Sequence, residues 1–164
     1  EAGVQYFGDT GDDQSPALVK TISGTKIGFV NYNYSIAGSF ERAVEDIKNI
    51  RNKSDIVVVC PHWGTEFKIG DPGQKIRAEA YKLIDAGADL IVGGHPHVVQ
   101  DSEDYKNKKI YYSLGNFIFD QYFQKETMEG LGVEVTINPD RAIQFNELKF
   151  EMTKRGQTIL KVEP

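Results

Sequence analysis

Histidine is the residue type in this chain best suited to metal chemistry, and all three copies fall in two short segments. His62 lies in "PHWGTEF", while His95 and His97 lie in "GGHPHVVQ". Neutral imidazole is a good ligand for borderline divalent metals such as zinc, manganese and iron. If the three rings meet in the fold, they predict a metal site.

Two predicted strands and the helix between them decide whether the rings meet. "DIVVVC" (55–60) and "ADLIV" (88–92) are short, apolar runs, which is typical of strands buried on both faces. A helix predicted from about 73 to 87 joins them, and such a β-α-β crossover makes the strands parallel. Parallel strands end at the same edge of a sheet, so all three histidines are expected at that carboxyl edge.

The His-Pro-His sequence has a mechanical interpretation of its own. In an extended chain, residues i and i+2 point the same way, so His95 and His97 could both face one metal ion. Pro96 would fix the backbone between them. Gly93 and Gly94 are expected to permit a sharp exit from the strand and a close approach of the backbone.

A purely structural role for the histidines is the open alternative. In that interpretation His95 and His97 cap a loop, and His62 packs beside Trp63. A His-x-His pair alone is a weak signal, and the β-α-β placement is what favours metal binding.

Several polar residues are secondary candidates. Glu66, four residues after His62, could orient a ligand histidine from behind, or be an ordinary surface glutamate. Asn116 could offer its amide to a metal or a phosphate, or form a turn, and Asp120 has a similar standing. Asp9, in "FGD", is interpreted as part of a loop.

The rest of the chain predicts an α/β protein with a β-α-β-α-β first half and a β-rich second half. The first strand is expected at 25–34, and Ser39 is a predicted N-cap of the helix that follows it. Asp71 is the predicted N-cap of the second helix, and Gly87 is predicted to end it. After His97 the segments alternate as antiparallel strands do, with turns at "YKNK", "NPDR" and "KRGQ".

Composition excludes several classes of protein. The 164 residues are 40% hydrophobic and 26% charged, which is typical of a globular domain. A net charge of −5 argues against a nucleic-acid binder, because phosphate neutralisation needs a basic face. Cys60 is the only cysteine, so no internal disulfide can form, and no apolar run approaches the roughly 20 residues that span a bilayer.

Four segments, in order, resemble motifs of the CapA-type proteins, also called PgsA-type poly-γ-glutamate capsule biosynthesis proteins. The segments are "VVCPHWGTEF", "LIDAGADLIVGGHPHVVQ", "KIYYSLGNFIFDQ" and "ETMEGLGVEV". The likeness runs from about residue 25 to residue 137. Four ordered motifs with near-family spacing are far more specific than the histidine pair.

That family is similar to the calcineurin-like metallophosphoesterases. The resemblance implies part of their α/β/β/α sandwich and of their two-metal site. By it, His62 stands at the middle histidine ligand, and His95 and His97 stand at a Gly-His-x-His-like pair. The implied cofactor is one or more divalent metal ions: manganese, iron or zinc.

The resemblance covers only the carboxyl-terminal half of such a domain. The family's Asn-Leu-Glu and Asn-Asn-His motifs do not occur in this chain, and "FGDTGDD" is in the wrong order and context to stand for its Gly-Asp motif. Residues 1–164 are therefore expected to form a single domain that is half of a larger metallophosphatase-like one. The intact parent is expected outside the cytoplasm, at the cell surface or membrane-anchored, with its amino-terminal anchor absent from this chain.

The expected function is capsule biosynthesis, with a metallophosphatase-like site built partly from His62, His95 and His97. The alternatives are an active metal-dependent phosphoesterase, a non-catalytic polymer-export or scaffold protein with a vestigial site, and a plain α/β domain that binds nothing. Expected partners are an anionic polymer or a phosphate-containing substrate, together with other capsule synthesis or export proteins, and no nucleic acid.

Overall fold

The computed structural model describes residues 3, 5–8, 17–153 and 155–161, so Asp9 lies outside the described residues. Within these ranges the chain forms nine strands, two α-helices and a short 3-10 helix at Glu126–Met128. The elements are β1 (Leu18–Ile22), β2 (Thr25–Asn33), α1 (Ser39–Arg51), β3 (Ile56–His62), α2 (Gln74–Ala86), β4 (Leu90–Val92), β5 (Ser102–Tyr105), β6 (Lys108–Tyr111), β7 (Glu129–Ile137), β8 (Ile143–Met152) and β9 (Thr158–Leu160).

The larger sheet has the strand order β1-β2-β3-β4-β6-β5. Strands β2, β3, β4 and β6 pair in parallel, and the two edge strands β1 and β5 pair antiparallel to their neighbours. The predicted β-α-β-α-β unit is confirmed as β2-α1-β3-α2-β4. All the parallel strands therefore direct their carboxyl ends to one edge of the sheet.

The core lies between this sheet and the two helices. Central strands contribute Val57, Val59 and Ile91, which are inaccessible to solvent, and α1 and α2 contribute Ile47 and Leu83. These are the apolar residues that the strand and helix patterns place on buried faces. Core packing thus fixes how β3 and β4 lie beside each other, and with them the loops that follow.

The smaller sheet is antiparallel, in the order β7-β8-β9, and forms a further layer of a sandwich. Tyr111 of β6 contacts Phe145 of β8 with ring centroids 6.1 Å apart. Arg141, in the β7–β8 turn, forms an ion pair with Asp55 at 2.7 Å, just before β3. These contacts join the two sheets, and the mixed α/β fold class predicted from sequence is confirmed.

Some local predictions are wrong. The helix N-caps are Gly38 and Gly73, not Ser39 and Asp71. The Ser39 hydroxyl accepts a hydrogen bond from the Asn33 backbone N–H at 2.9 Å, and the Asp71 carboxylate accepts one from Gly73 at 3.2 Å. The Ser39 hydroxyl is therefore occupied by the preceding loop, and the Asp71 carboxylate by the Gly73 N–H and by the Arg77 side chain at 3.0 Å.

The strand prediction errs at two places. Strand β1 was not predicted from the sequence. In the structure it pairs with β2 through a tight hairpin turn in which Ser23 and Gly24 both have the positive φ that such a turn requires. Strand β6 belongs to the larger sheet through parallel pairing with β4, and only its pairing with β5 follows the predicted antiparallel pattern. Alternation of polar and apolar residues indicates which face of a strand is exposed to solvent, but it does not identify the strand with which it pairs.

No α-helix in the described ranges is long and apolar enough to cross a membrane.

Gly93 lies where three backbone segments converge. Its N–H donates to the Tyr111 carbonyl at 2.8 Å, and the Trp63 indole N–H donates to the Tyr112 carbonyl at 2.8 Å. A Cβ at Gly93 would overlap the Tyr112 carbonyl oxygen and lie 2.6 Å from Trp63 Nε1, whereas Gly94 faces open space. The close approach predicted from sequence is therefore required at the first glycine only.

Asp89 forms several hydrogen bonds at the edge of the larger sheet where the parallel strands begin. Its carboxylate accepts hydrogen bonds from Lys108 Nζ at 2.6 Å and from the Val57 backbone at 2.8 Å, and it also pairs with Arg51. Burial opposes its ionisation, but the bonds from Lys108 and Arg51 outweigh that effect and lower the pKa of the carboxyl group. The charged form of Asp89 therefore stabilises the fold.

We expect Gly93→Ala to destabilise the protein by about 2 kcal/mol, because the added methyl group overpacks the contact between Trp63 and Tyr112. Gly94→Ala is the matched control and should change the free energy of unfolding by less than about 1 kcal/mol, the intrinsic strand or loop effect of the substitution. Urea denaturation measures both. Equal losses in the two variants would contradict the assigned packing.

We expect Asp89→Asn to lose about 2 kcal/mol near neutral pH, since charge-assisted hydrogen bonds are removed. The pKa of Asp89 is lower in the folded than in the unfolded chain. Its contribution is thus present above the unfolded value of about 3.9 and is lost as the pH falls through the folded-state pKa. Denaturation at several pH values should show a shallower acid loss in the variant.

Asp85→Asn is the control for this experiment. Asp85 pairs with Lys106, but their side chains are 44% and 62% exposed. Exposed pairs contribute little, so this variant should stay within about 0.5 kcal/mol of the parent at every pH. An acid profile of Asp89→Asn identical to the parent's would refute the role of Asp89.

Candidate metal centre

The structure brings the three histidine rings together at the carboxyl edge of the larger sheet. The ring centroids of His62 and His95 are 4.4 Å apart, and those of His95 and His97 are 6.1 Å apart. His62 is exposed, and the other two are half-buried. The convergence at one sheet edge that the metal-site interpretation requires is therefore present.

Backbone pairing between the two loops sets the position of His62. His62 forms an isolated parallel bridge with Gly94, which continues the alignment of β3 with β4. The Gly94 N–H donates to the Pro61 carbonyl at 3.0 Å, and the Trp63 N–H donates to the Gly94 carbonyl at 3.1 Å. Since Gly94 immediately precedes His95, this bridge places the first two rings side by side.

The His-Pro-His segment is not extended, so the predicted mechanism for aligning its rings is wrong. His95 has φ 102° and His97 has φ 60°. Both values lie in the left-handed region, which non-glycine residues rarely adopt. The Pro96 carbonyl accepts a hydrogen bond from the Phe67 N–H at 2.8 Å, and Phe67 also has a positive φ of 61°. Strain of this kind persists where surrounding structure enforces it, and it concentrates at functional sites.

Glu66 lies beside His95 and His97, where its carboxylate could share a metal ion with them. One carboxylate oxygen of Glu66 and one ring nitrogen from each of His95 and His97 all lie within 4.8 Å of one another. Ligand atoms bound to one ion through bonds of about 2.1 Å are separated by up to roughly 4 Å. Glu66 is exposed on the solvent side of this group.

Asn116, a second candidate from the sequence, lies directly against His97. The Asn116 Oδ1 lies 2.9 Å from His97 Nδ1. The amide nitrogen of Asn116 donates to the Thr127 carbonyl at 3.0 Å and to Gln121 Oε1 at 3.1 Å. Because a backbone carbonyl can only accept, the amide nitrogen must face Thr127, and the oxygen must face His97.

This orientation of Asn116 selects the tautomer of His97. Since the amide oxygen accepts, His97 Nδ1 must carry the proton, and Nε2 is left with its lone pair. A ring held in this way presents one nitrogen to a metal, which is how protein groups behind a ligand histidine commonly act. The buried Asn116 is itself fixed at the bridge between Gly115 and Gly130.

The surroundings of His62 favour its neutral form. Partial burial lowers the pKa of His62, and the neighbouring His95 and His97 lower it further. The ring is thus held more readily in the neutral form that can bind a metal. Burial raises the pKa of the Cys60 thiol to about 11, so this residue of β3 stays protonated near neutral pH.

The remaining candidate, Asp120, is exposed and is not one of the three residues whose donor atoms converge in the described part of the chain. Two residues in contact with His97 were not predicted as part of the site. The rings of Phe119 and Phe67 lie 5.0 Å and 6.0 Å from the His97 ring between centroids. Their only signal in the sequence was an aromatic segment after a strand, which more often indicates core packing.

Comparison with known proteins gives the chain its family. Residues 1–121 match the family described as "Bacterial capsule synthesis protein PGA_cap". The chain is 51% identical over 75 residues to the PGA biosynthesis protein CapA of Bacillus subtilis (strain 168), and 51% identical over 71 residues to the capsule biosynthesis protein CapA of Bacillus anthracis. These segments are 46% and 43% of this chain but only 20% and 17% of those relatives.

A solved structure supports the fold alone. The crystal structure of a hypothetical protein from Thermus thermophilus superposes with a TM-score of 0.59 at 15% identity, covering 86% of this chain and 64% of that one. The family match covers well over half of the chain, and the CapA matches agree with it. The chain therefore belongs to the bacterial capsule synthesis protein family PGA_cap.

Proposed function

We propose that this chain carries the histidine-rich part of a metal site in a protein of poly-γ-glutamate capsule biosynthesis. The observation that carries the proposal is the convergence of His62, His95, His97 and Glu66 at one sheet edge. The family, and the names of its two Bacillus relatives, supply the capsule context.

The donor set fits a divalent metal. Imidazole nitrogens with one carboxylate are typical ligands of zinc, manganese and iron. In this proposal His95, His97 and Glu66 hold the ion and His62 adds a fourth donor, or bridges to a second ion. The tautomer enforced by Asn116 gives His97 Nε2 the free lone pair that ligation needs.

The chemistry favours an anionic substrate group at this site. A bound divalent ion polarises phosphoryl or carbonyl oxygens and lowers the pKa of water near it. In this proposal His95, His97 and Glu66 hold the ion, and Asn116 fixes the His97 ring. The lowered pKa of His62 favours its neutral form. We attribute any metallophosphatase-like activity to more than the residues described here, because the matched segments make up only 20% and 17% of the two CapA relatives.

The capsule role implies a place at the cell envelope, and we include that location in the proposal. A purely non-catalytic export or scaffold role would need no enforced tautomer at His97 and no strained backbone at His95. Both features are present. They favour a metal-dependent activity over a vestigial site.

Metal binding should depend on the named donors. We expect isothermal titration with Mn²⁺ and Zn²⁺ to show saturable binding that falls at least tenfold in His97→Ala and in Glu66→Gln. Asp120→Asn removes an exposed carboxylate outside the group of donor atoms and is the matched control, with unchanged affinity. Equal affinity in Glu66→Gln and Asp120→Asn would refute the role of Glu66, and unchanged affinity in His97→Ala would refute the site.

Asn116 should affect the affinity for the metal although it is not one of the proposed ligands. We expect Asn116→Ala to weaken metal binding about tenfold, because His97 loses the partner that fixes its tautomer and ring orientation. Asn146→Ala, on the exposed face of β8, is the control and should leave the affinity unchanged. The far-ultraviolet circular dichroism of both variants is compared with the parent. A correctly folded Asn116→Ala protein with parental affinity would contradict the assignment.

A further inference from the structure

An exposed apolar surface adjoins the histidines, and we call it the aromatic rim. It consists of Phe67, Phe119 and Phe123 around His97, together with Phe117 and Ile118, which precede Phe119 in the chain. The Phe117 ring also contacts Phe150 of β8, with centroids 5.0 Å apart. Four of the five are exposed: Phe117 56%, Ile118 68%, Phe119 42% and Phe123 64%. Contiguous apolar surface of this kind is uncommon on a globular domain and marks sites of interaction.

The rim is continuous with the candidate metal centre. The rings of Phe123 and Phe67 are 5.1 Å apart between centroids, and Phe67 in turn lies 6.0 Å from the His97 ring. Phe119 lies 5.0 Å from His97. Two aromatic side chains thus neighbour the His97 ring, and a ligand bound at its free nitrogen would lie close to them.

The backbone that carries these side chains is held in place by hydrogen bonds. The Phe119 N–H donates to Met152 Sδ at 3.3 Å, and the Thr158 hydroxyl donates to the Phe117 carbonyl. Phe67 keeps a positive φ while its N–H is bonded to Pro96. The rim is therefore tied to strands β8 and β9 of the smaller sheet and to the His-Pro-His segment.

We propose that the rim is an apolar subsite and that the ligand of this metal centre is an amphiphilic phosphoester, with its phosphoryl group at the metal and an apolar group on the phenylalanines. This inference rests on the proposed function, because it takes the metal as given. Poly-γ-glutamate itself is polar and anionic along its length, so it would leave the rim uncovered. A ligand that covers the rim needs an apolar group beside its anionic one, and an amphiphilic phosphoester has both whereas the free polymer has only the anionic groups.

A pair of phosphonates isolates the subsite from the metal. Methylphosphonate and phenylphosphonate share the group that binds a metal and differ in the apolar substituent. Titrated into the Mn²⁺-loaded full chain, phenylphosphonate should bind about tenfold more tightly, the gain expected from partial burial of one phenyl ring. In the double variant Phe119→Ala/Phe123→Ala this ratio should fall to about one, with methylphosphonate binding unchanged.

Ile22→Ala is the matched control for the double variant. Ile22 is also an exposed apolar residue, at 46%, but it lies on edge strand β1 away from the histidine loops. It should keep the tenfold ratio. A ratio near one in the parent protein, or an unchanged ratio in the double variant, would overturn the subsite while leaving the metal site intact.

Other outcomes separate the two proposals and the two alternative occupants. If neither phosphonate binds in the presence of Mn²⁺, or if binding is unaffected by His97→Ala, the metal site fails and the subsite fails with it. Displacement of phenylphosphonate by an equal concentration of oligo-γ-glutamate would overturn the phosphoester class in favour of the polymer. Loss of binding to phosphatidylglycerol vesicles in the double variant, with the phosphonate ratio unchanged, would assign the rim to a membrane surface instead.

Discussion

The parallel pairing of β3 with β4 is the constraint on which the rest of the structure depends. Val58 aligns with Leu90 and Val59 with Ile91, and the alignment continues beyond the strands as the bridge between His62 and Gly94. A shift of this register would separate the two loops that carry the histidines. The register is held by buried apolar residues on both strands and by Gly93, which admits the Tyr112 backbone against Trp63.

Much of this arrangement could be predicted from the sequence because it follows from topology. Two uniformly apolar runs joined by a helix must be parallel, so their following loops must share an edge. The details that fix each ring could not be predicted in this way. The φ angles of His95 and His97 and the partner of His97 depend on contacts with Phe67 and Asn116, which are distant in sequence.

The positions of Glu66 and Asn116 show where sequence spacing stops being informative. Glu66 follows His62 closely in the chain, yet its carboxylate converges with His95 and His97 across the loop. Asn116 follows a strand that sequence patterns had placed among antiparallel neighbours, and parallel pairing of β6 with β4 brings it to the site. The sequence named both residues as candidates, but the histidine that each one approaches depends on strand pairing that the sequence did not reveal.

The candidate metal centre and the aromatic rim form one surface, on which polar metal-binding side chains lie next to apolar phenylalanine rings. Nitrogen and oxygen donors converge at one position, and the rings of Phe67 and Phe119 lie beside one of its histidines. The opposite edge of the sheet has a different character, since Asp89, Lys108 and Arg51 satisfy one another there. At the Asp89 edge, ion pairs neutralise the charges and stabilise the fold. At the histidine edge, where we place the function, the donor atoms face solvent.

Anomalous diffraction from crystals of this chain grown with Mn²⁺ tests the central claim most directly. The account predicts a peak within bonding distance, about 2.0–2.3 Å, of the Glu66 carboxylate and of ring nitrogens of His95 and His97. A fully occupied peak elsewhere on the protein, with none between these three side chains, would contradict it.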